Sequence, residues 1–238
     1  MTRRRFLAAI LGLAACLGGA GSRLARADYL ISDLLTPGAS IQVGDRVFDN
    51  FTYSKSGQMP TAGGVNVASF TDADGNTGLR FSGGFTDAYN TPGPQTASDA
   101  IISYRLTSTG AALTSAVLGS NPAVLGRGDG FAAVTETFQV GGNTLQASVF
   151  DTVSNGVHSQ KLSDRITFAG VQSLQVVSKD IIAFNDGGSP TISFIDQTFG
   201  SGRPVGVAVP EPSGWALMGM GLVGLIGYRS RRRLSARA

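Results

Sequence analysis

The chain has 238 residues and a formal net charge of +3, from nineteen lysines and arginines against sixteen acidic residues. Five of the basic residues lie before position 28 and five after position 228, whereas every acidic residue lies between Asp28 and Glu211. The body between the two ends therefore carries nine basic and sixteen acidic residues, a net charge of −7. This charge removes the electrostatic support for nucleic-acid binding.

Cysteine and histidine are scarce, which limits the chemistry open to the chain. The single cysteine is Cys16 and the single histidine is His158. If an export leader ends at Ala27, the mature chain has no cysteine, which excludes disulfides, thiolate nucleophiles and cysteine metal sites. About 180 residues remain between the two ends, which is enough for one domain with its own core.

The first 27 residues have the layout of a secretory signal peptide. Three arginines at positions 3 to 5 precede an apolar stretch from Phe6 to about Ala20. Ala25-Arg26-Ala27 follows as a small-x-small cleavage site. We therefore predict export through the Sec translocon with cleavage after Ala27.

Two features of this leader leave alternatives open. Thr2-Arg3-Arg4-Arg5-Phe6-Leu7 resembles the twin-arginine export signal, which would carry an already folded chain across the membrane. Leu13-Ala14-Ala15-Cys16 resembles a bacterial lipobox, in which Cys16 would become the lipidated first residue. An anchor at the C-terminus would make that lipid redundant for stable attachment.

The segment from residue 28 to residue 208 is predicted to be one all-β domain. Runs rich in Val, Ile, Phe, Thr and Tyr alternate with clusters of Gly, Asn, Asp and Pro, and no apolar stripe of helical period appears. Two sheets packed as a β-sandwich or jelly roll would bury one face of each sheet. The predicted strands lie near Ser40–Val43, Val47–Ser54, Val65–Thr71, Leu79–Gly83, Ala100–Ser108, Ala116–Leu118, Phe131–Val140, Thr144–Phe150, Gln160–Phe168, Ser173–Ile182 and Thr191–Gln197.

The clearest predicted hairpin runs from Phe131 to Phe150, with Gly141-Gly142-Asn143 as its turn. Alternate residues from Ala132 to Val140 are apolar, with the exception of Glu136. Glu136 therefore falls on the apolar face, so either the strand is bulged or the carboxylate is partly buried. A salt bridge or a position at the end of the sheet would explain it.

The best local motif for a ligand is Asp72-Ala73-Asp74-Gly75-Asn76-Thr77-Gly78. The side-chain oxygens of Asp72, Asp74 and Asn76 around a glycine turn are of the kind that calcium uses, although the distal glutamate of an EF-hand loop is missing. The same residue types also form tight hairpin turns. A structural turn and a calcium site both remain open.

No set of catalytic residues stands out, and we expect a protein that is not an enzyme. His158 lies near Asp151, Ser154 and Ser159 in the sequence, but no nucleophile elbow or oxyanion loop accompanies them. We therefore predict that His158 is an exposed loop residue. A zinc site built on one histidine and carboxylates would be uncommon, and a glycosidase with two paired carboxylates stays open.

A carbohydrate-binding module is the alternative to a non-catalytic surface protein. Such sites present exposed aromatic side chains, but the only tryptophan, Trp215, lies in the C-terminal tail. Tyr29, Tyr53, Tyr89 and Tyr104 are the remaining candidates in the body. Tyr53 and Tyr104 fall in predicted strands, where we expect them to pack.

The tail from residue 209 to residue 238 has three parts. Residues 209–213 form a proline-rich spacer, which ends the preceding domain and leaves an exposed segment. Residues 214–228 are uncharged and have Trp215 and Tyr228 near their ends, which predicts a membrane-spanning helix. The fourteen residues from Trp215 to Tyr228 would span about 21 Å of a hydrocarbon core that is about 30 Å thick.

A basic end follows this helix at residues 229–238. Its arginines place the end in the cytoplasm and the body outside, and their side chains would reach the interface past the short helix. The arginines that flank the helix are Arg229, Arg231, Arg232 and Arg233.

These three parts in this order resemble the PEP-CTERM sorting signal of exported bacterial proteins, which is also catalogued as the ice-binding protein C-terminal domain. The resemblance implies an exosortase-type enzyme that acts at Val209, Pro210, Glu211 and Pro212. It also implies passage from the cytoplasmic membrane to the outer surface or extracellular matrix of bacteria that make exopolysaccharide. Ice binding would need a regular threonine repeat, which the sequence lacks.

Overall fold

The computed structural model describes residues 28–89, 96–126 and 128–202. These residues form fourteen strands, one short α-helix, Ile31–Leu34 (α1), and one 3-10 helix, Ala62–Gly64. The strands are β1 Asp28–Leu30, β2 Ser40–Val43, β3 Arg46–Lys55, β4 Asn66–Thr71, β5 Thr77–Thr86, β6 Thr96–Ser108, β7 Leu113–Ser120, β8 Ala123–Leu125, β9 Asp129–Val140, β10 Asn143–Ser154, β11 Val157–Lys161, β12 Ser163–Val171, β13 Ser173–Asp186 and β14 Ser189–Ser201.

The strands form two antiparallel sheets of seven strands each. Sheet A has the order β1-β4-β5-β14-β7-β12, and β8 also pairs with β14. Sheet B has the order β11-β10-β9-β13-β6-β3-β2. The predicted all-β class is confirmed, and so is the expectation that helices between residues 28 and 202 are few and short wherever the chain is described.

One hydrophobic core takes side chains from both sheets. The ring of Phe199 in sheet A lies 6.2 Å from that of Phe48 and 6.3 Å from that of Phe138, both in sheet B. Phe81 of sheet A stacks on Tyr104 of sheet B at 6.0 Å. Full burial of such a side chain contributes about 1.5–3 kcal/mol. The two sheets thus pack face to face, which is consistent with the predicted β-sandwich.

Every strand predicted from the sequence overlaps an observed strand, with one division and two omissions. The predicted strand Gln160–Phe168 is two strands, because the chain passes from sheet B to sheet A at Leu162. Strands β1 and β8 were not predicted, since three residues are too few to show a period-2 pattern.

The predicted hairpin is confirmed as β9 and β10. Val140 pairs with Asn143, so the turn consists of Gly141 and Gly142 alone. Their φ angles of 55° and 82° are the values that a type I′ turn requires and that glycine adopts without strain. Asn143 therefore belongs to the strand, one residue earlier than predicted.

The N-terminal segment of the body is part of the folded structure from its first described residue. Asp28 pairs with Ala68 at the edge of sheet A. The helix α1 follows directly and buries Ile31 and Leu34 in the core. The backbone N–H of Ile31 also donates to Val65 O at 2.9 Å.

Candidate functional site

Glu136 lies in the core and belongs to a buried polar cluster. The pairing of β9 with β10 and with β13 is continuous, so the strand is not bulged. Glu136 is fully buried, and its Oε1 accepts a hydrogen bond from Lys179 Nζ of the neighbouring strand β13. Lys179 Nζ also donates to Tyr104 Oη at 3.0 Å and lies 4.7 Å from the centre of that ring. The salt-bridge explanation is confirmed and the bulge is wrong.

Burial shifts the protonation equilibria of this cluster toward the neutral forms. Desolvation raises the pKa of Glu136 to about 7, although the charge of Lys179 opposes the shift. Desolvation likewise lowers the pKa of Lys179, and it raises that of Tyr104 well above its usual value. Glu136 Oε2 has no hydrogen-bond partner. The cluster is thus enclosed by the core, which gives it a structural role rather than a ligand site.

Asp72 organises the turn between β4 and β5. Its Oδ1 accepts hydrogen bonds from the backbone N–H groups of Asp74 and Asn76, at 3.0 and 2.9 Å. Its Oδ2 accepts from Asn76 Nδ2 at 3.0 Å and from Thr198 Oγ1 at 2.6 Å. Burial raises the pKa of Asp72, but these hydrogen bonds outweigh it, and the net pKa is lowered. The carboxylate is occupied on both oxygens by protein donors.

The other predicted calcium ligands have protein partners of their own. Asp74 forms an ion pair with Arg165 of β12, and the side-chain amide of Asn76 acts as a donor. Within the described part of the chain, no group of three or more His, Cys, Asp or Glu side chains is arranged to hold a metal ion. This geometry favours the structural turn, and the calcium site stays the alternative hypothesis.

His158 lies in strand β11, so its assignment to a loop was wrong, whereas its exposure is confirmed at 57%. Its Nε2 contacts Asp151 Oδ1, and the other oxygen of the buried Asp151 accepts from the backbone N–H of Val124 at 2.7 Å. Ser159 follows His158 directly and so points to the opposite face of the strand. The structure therefore brings a histidine and an aspartate together without bringing Ser159 to them.

The tyrosines that were considered for carbohydrate contact are mostly packed. Tyr104 is 1% exposed, and Tyr29 and Tyr53 pack against the core. Tyr53 Oη donates to Pro60 O at 2.6 Å, and burial raises its pKa to about 12. The predicted packing of Tyr53 and Tyr104 is confirmed. Tyr89 alone among these four is exposed, at 41%.

No local sequence pattern predicts the ion pair between Arg80 and Asp196 on the outer face of sheet A. Arg80 donates to both carboxylate oxygens of Asp196, at 2.5 and 2.6 Å. Its guanidinium carbon lies 4.5 Å from the ring centre of Phe70 and 4.6 Å from that of Phe194. Cation–π contacts and a bidentate pair therefore hold one arginine between three strands. The partners are distant in sequence, so only the strand register reveals them.

Two carboxylates that the sequence did not single out lie on neighbouring strands of sheet B. Asp180 on β13 lies two residues from Ile182, which is the cross-strand partner of Asp99 on β6. Burial raises the pKa of Asp180 to about 6, and the hydrogen bond and charge of Asp99 add to the shift. Because glycosidases use two acidic side chains, Asp180 and Asp99 are candidates for the glycosidase alternative.

A cleft of about 240 Å³ lies beside the irregular part of β3. Asn50 adopts a φ of 54° there, where the pairing of β3 with β6 shifts register. The cleft offers backbone, amide and hydroxyl groups and no charged side chain. It is lined by Leu34, Leu35, Thr36, Pro37, Gly38, Asn50, Phe51 and Thr52.

The end of β14 is the last point of the chain that the structure describes in detail. Ser201 Oγ accepts a hydrogen bond from Arg46 Nη2 at 3.0 Å, and Arg46 Nη1 also donates to Thr77. Burial lowers the pKa of Arg46, and the charges of Asp45 and Asp72 oppose this. Arg46 thus ties β3 of sheet B to β5 and β14 of sheet A.

The residues of the predicted leader and tail lie outside the described residues. They are Ala25 and Ala27 at the predicted cleavage point, Cys16, the sorting residues Val209, Pro210, Glu211 and Pro212, and the anchor residues Trp215, Tyr228, Arg229, Arg231, Arg232 and Arg233. A search of the described residues finds no helix with the length and apolar character needed to span a membrane.

Comparison with known proteins identifies the tail. A family model for the PEP-CTERM protein-sorting motif matches residues 208–233, so the chain carries this motif, as the resemblance indicated. No curated protein matches the chain.

Two solved structures are distantly similar in fold. TmCBM61 in complex with beta-1,4-galactotriose shares 10% identity over 63% of this chain and 89% of that one, with a TM-score of 0.32. The enzymatically active domain of tailspike protein 4 from bacteriophage CBA120 shares 12% identity over 63% of this chain, with a TM-score of 0.27. The match covers 19% of that tailspike chain. Likenesses this distant carry no argument about function.

Proposed function

We propose that the protein is an exported, non-catalytic surface or matrix protein, associated with exopolysaccharide and handled by an exosortase-type enzyme. In this proposal the leader is cleaved after Ala27, the helix 214–228 holds the chain in the cytoplasmic membrane with the body outside, and the enzyme then cuts near Val209–Pro212. The observation that carries the proposal is the PEP-CTERM motif at residues 208–233.

The position of the last strand supports cleavage at this motif. Strand β14 ends at Ser201, and eight residues separate it from Pro210. Such a segment reaches up to about 28 Å when extended. A cut beside Pro210 would therefore leave every strand and core residue that the structure describes within the body.

The non-catalytic part of the proposal draws support from the use of ionisable groups in the body. Glu136 and Lys179 contact each other in the core. Asp72 holds a turn, and Asp74 pairs with Arg165. Side chains that the sequence marked as candidates for chemistry thus have structural partners.

Fractionation of the full chain tests the sorting step. A triple variant, Pro210→Ala, Glu211→Ala and Pro212→Ala, keeps the anchor and removes the motif. We expect the native protein to be shortened and to leave the membrane fraction, whereas the variant stays there at full length. A chain ending at residue 208 serves as the matched control and should be released without shortening. Retention of the native chain at full length would show that the tail is a plain anchor.

Carbohydrate binding by the body is the second candidate, and the exposure of Tyr89 favours it. A glycan array probed with residues 28–208 tests this. Binding that Tyr89→Ala abolishes and Tyr29→Ala leaves intact would place the site at Tyr89. The absence of binding would leave the non-catalytic assembly role as the better account.

A further inference from the structure

One end of the outer face of sheet B is apolar. The outward side chains there come from β9, β10 and β13, and each is flanked in its strand by two buried residues. The register sets Phe131 beside Phe184, and it sets Phe150 and Ile182 on either side of Ala133. The three rings and Ile182 are half-buried and lie outside the hydrophobic core. We call these five residues the aromatic patch.

A pair of carboxyl groups borders the aromatic patch. Asp99 is the direct cross-strand partner of Ile182, and Asp180 lies two residues before Ile182 on the same face of β13. Burial raises the pKa of Asp180, and a hydrogen bond between the two carboxyl groups adds to the shift. Asp99 Oδ1 is buried without a hydrogen-bond partner. Neither group forms a salt bridge with a basic side chain of the described residues, so the pair lacks a counter-charge there.

Hydroxyl groups line the same face on the other side of the carboxyl pair. The row of outward side chains that contains Asp180 and the next row along the strands are rich in serine and threonine. Ser103 Oγ donates to Ser178 Oγ at 3.0 Å, which links β6 to β13 across this surface. The face therefore changes from aromatic rings to carboxyl groups and then to hydroxyl groups. The hydroxyl side chains are Thr52, Ser54, Ser103, Thr135, Thr137 and Ser178.

This order of groups fits a sugar chain that carries amino groups. A sugar ring has C–H groups on its faces and hydroxyl groups at its edge, so aromatic and hydroxyl side chains each contact a different part of it. The carboxyl pair favours a cation in the ligand, because an ammonium group would take the place of the proton in the hydrogen bond between the two groups. The net charge of −7 on the body acts against a polyanionic chain.

We propose that this face of sheet B binds a polysaccharide with free amino groups, whose sugar rings lie on the aromatic patch and whose ammonium group lies at Asp99 and Asp180. The inference rests on the exopolysaccharide association in the proposed function and names the surface that makes the contact. Tyr89, the residue of the second candidate, follows β5 of sheet A. Substitutions therefore distinguish the two surfaces.

Calorimetric titration of the full chain in neutral detergent micelles tests the ligand class. The probes are oligosaccharides of β-1,4-linked glucosamine, of N-acetylglucosamine and of a uronic acid, at mildly acidic pH where the sugar amine is protonated. We expect the glucosamine chain to bind about tenfold or more tightly than the N-acetylated chain, and the uronic acid chain to give no binding heat. Equal binding by the first two, or binding by none, would overturn the proposal. Fractionation of the sorting variant reports on the tail independently.

Asp99→Asn with Asp180→Asn tests the carboxyl pair, because the amides keep the shape of the side chains and remove their charge. The matched control is Asp33→Asn with Asp45→Asn, which removes the same charge from α1 and from the turn before β3. We expect the first variant to weaken glucosamine binding about tenfold or more, and the control to leave it nearly unchanged. Equal weakening by both would show attraction to net charge alone and would overturn the proposal.

Phe184→Ala tests the aromatic patch, and Val176→Ala is its control, since Val176 is an exposed apolar side chain of the same strand. We expect only the first variant to weaken binding, about tenfold or more. Loss of binding in Tyr89→Ala and not in Phe184→Ala would move the site to Tyr89 and overturn the proposal. Sedimentation of the native chain tests another occupant of the patch. A dimer that Phe184→Ala dissociates would show that a second copy covers it, which would also overturn the proposal.

Discussion

Two acid–base pairs in this protein obey the same geometric rule and have different physical consequences. Glu136 and Lys179 are direct cross-strand partners in sheet B, and Arg80 and Asp196 are direct cross-strand partners in sheet A. The first pair points inward and is fully buried, whereas the second points outward with side chains 31% and 14% exposed. Cross-strand pairing brings the two partners of each pair together. The face of the sheet determines how much stability is lost when one partner is removed.

Removal of Lys179 tests the inner pair most severely. Lys179→Met leaves the Glu136 carboxylate in the core without its counter-charge, and we expect a loss of about 3–5 kcal/mol in unfolding free energy. Urea unfolding of residues 28–208 followed by circular dichroism measures it. The matched control is Lys179→Met with Glu136→Leu, which should recover most of the loss. A double variant as unstable as the single one would contradict the interpretation.

The inner pair also predicts a dependence of stability on pH. The pKa of Glu136 is raised from its ordinary value of 4.5 to about 7 in the folded protein, so the folded state binds this proton more tightly than the unfolded state does. Its contribution is fully present below about pH 4.5 and is lost as the pH rises through about 7. The lowered pKa of Lys179 acts with the opposite sign on the alkaline side.

The measurement is the urea midpoint at several pH values for the native body and for Glu136→Gln. We expect the native body to lose on the order of 2 kcal/mol relative to the variant between pH 5 and 8. Parallel pH profiles for the two proteins would show that Glu136 does not titrate in this range.

The effect of removing the Asp72 side chain should lie between those for the inner and outer pairs, because its carboxylate is partly buried and accepts four hydrogen bonds. We expect Asp72→Ala to lower the unfolding free energy by about 1–2 kcal/mol, whereas Asp74→Ala, which loses an exposed pair with Arg165, should cost about 0.5 kcal/mol or less. Calorimetric titration of the native body with calcium should give no binding heat. Heat that both substitutions abolish would establish the calcium site instead.

The outer pair should give the smallest effect. Asp196→Asn leaves Arg80 between Phe70 and Phe194, and we expect a loss of about 0.2–1 kcal/mol that shrinks as salt is added. Unfolding at low and high ionic strength measures it. A loss comparable to that of Lys179→Met would remove the distinction between the two faces.

Local patterns in the sequence explain most of what could be predicted. The two glycines at positions 141 and 142 specify the hairpin turn, and alternation along β9 places Glu136 on the inner face. The sorting tail is readable for the same reason, since its three parts are consecutive. Each of these features is formed by residues that are close together in the sequence.

The remaining features depend on register between distant strands. Lys179 comes 43 residues after Glu136, and no local pattern identifies it as the partner. Asp196 and Arg80 are 116 residues apart. The division of β11 from β12 was missed because the residues around Leu162 contain no glycine or proline to mark the passage between sheets.

The place of β14 within sheet A has a mechanical consequence. This strand pairs with β5 on one side and β7 on the other, and the tail continues from its C-terminal end. Two ladders of hydrogen bonds would therefore have to break before this strand could leave the sheet, whereas an edge strand is held by one ladder. Arg46 of sheet B adds a hydrogen bond to Ser201 at the C-terminal end of this strand, so β14 is held to both sheets where the tail begins.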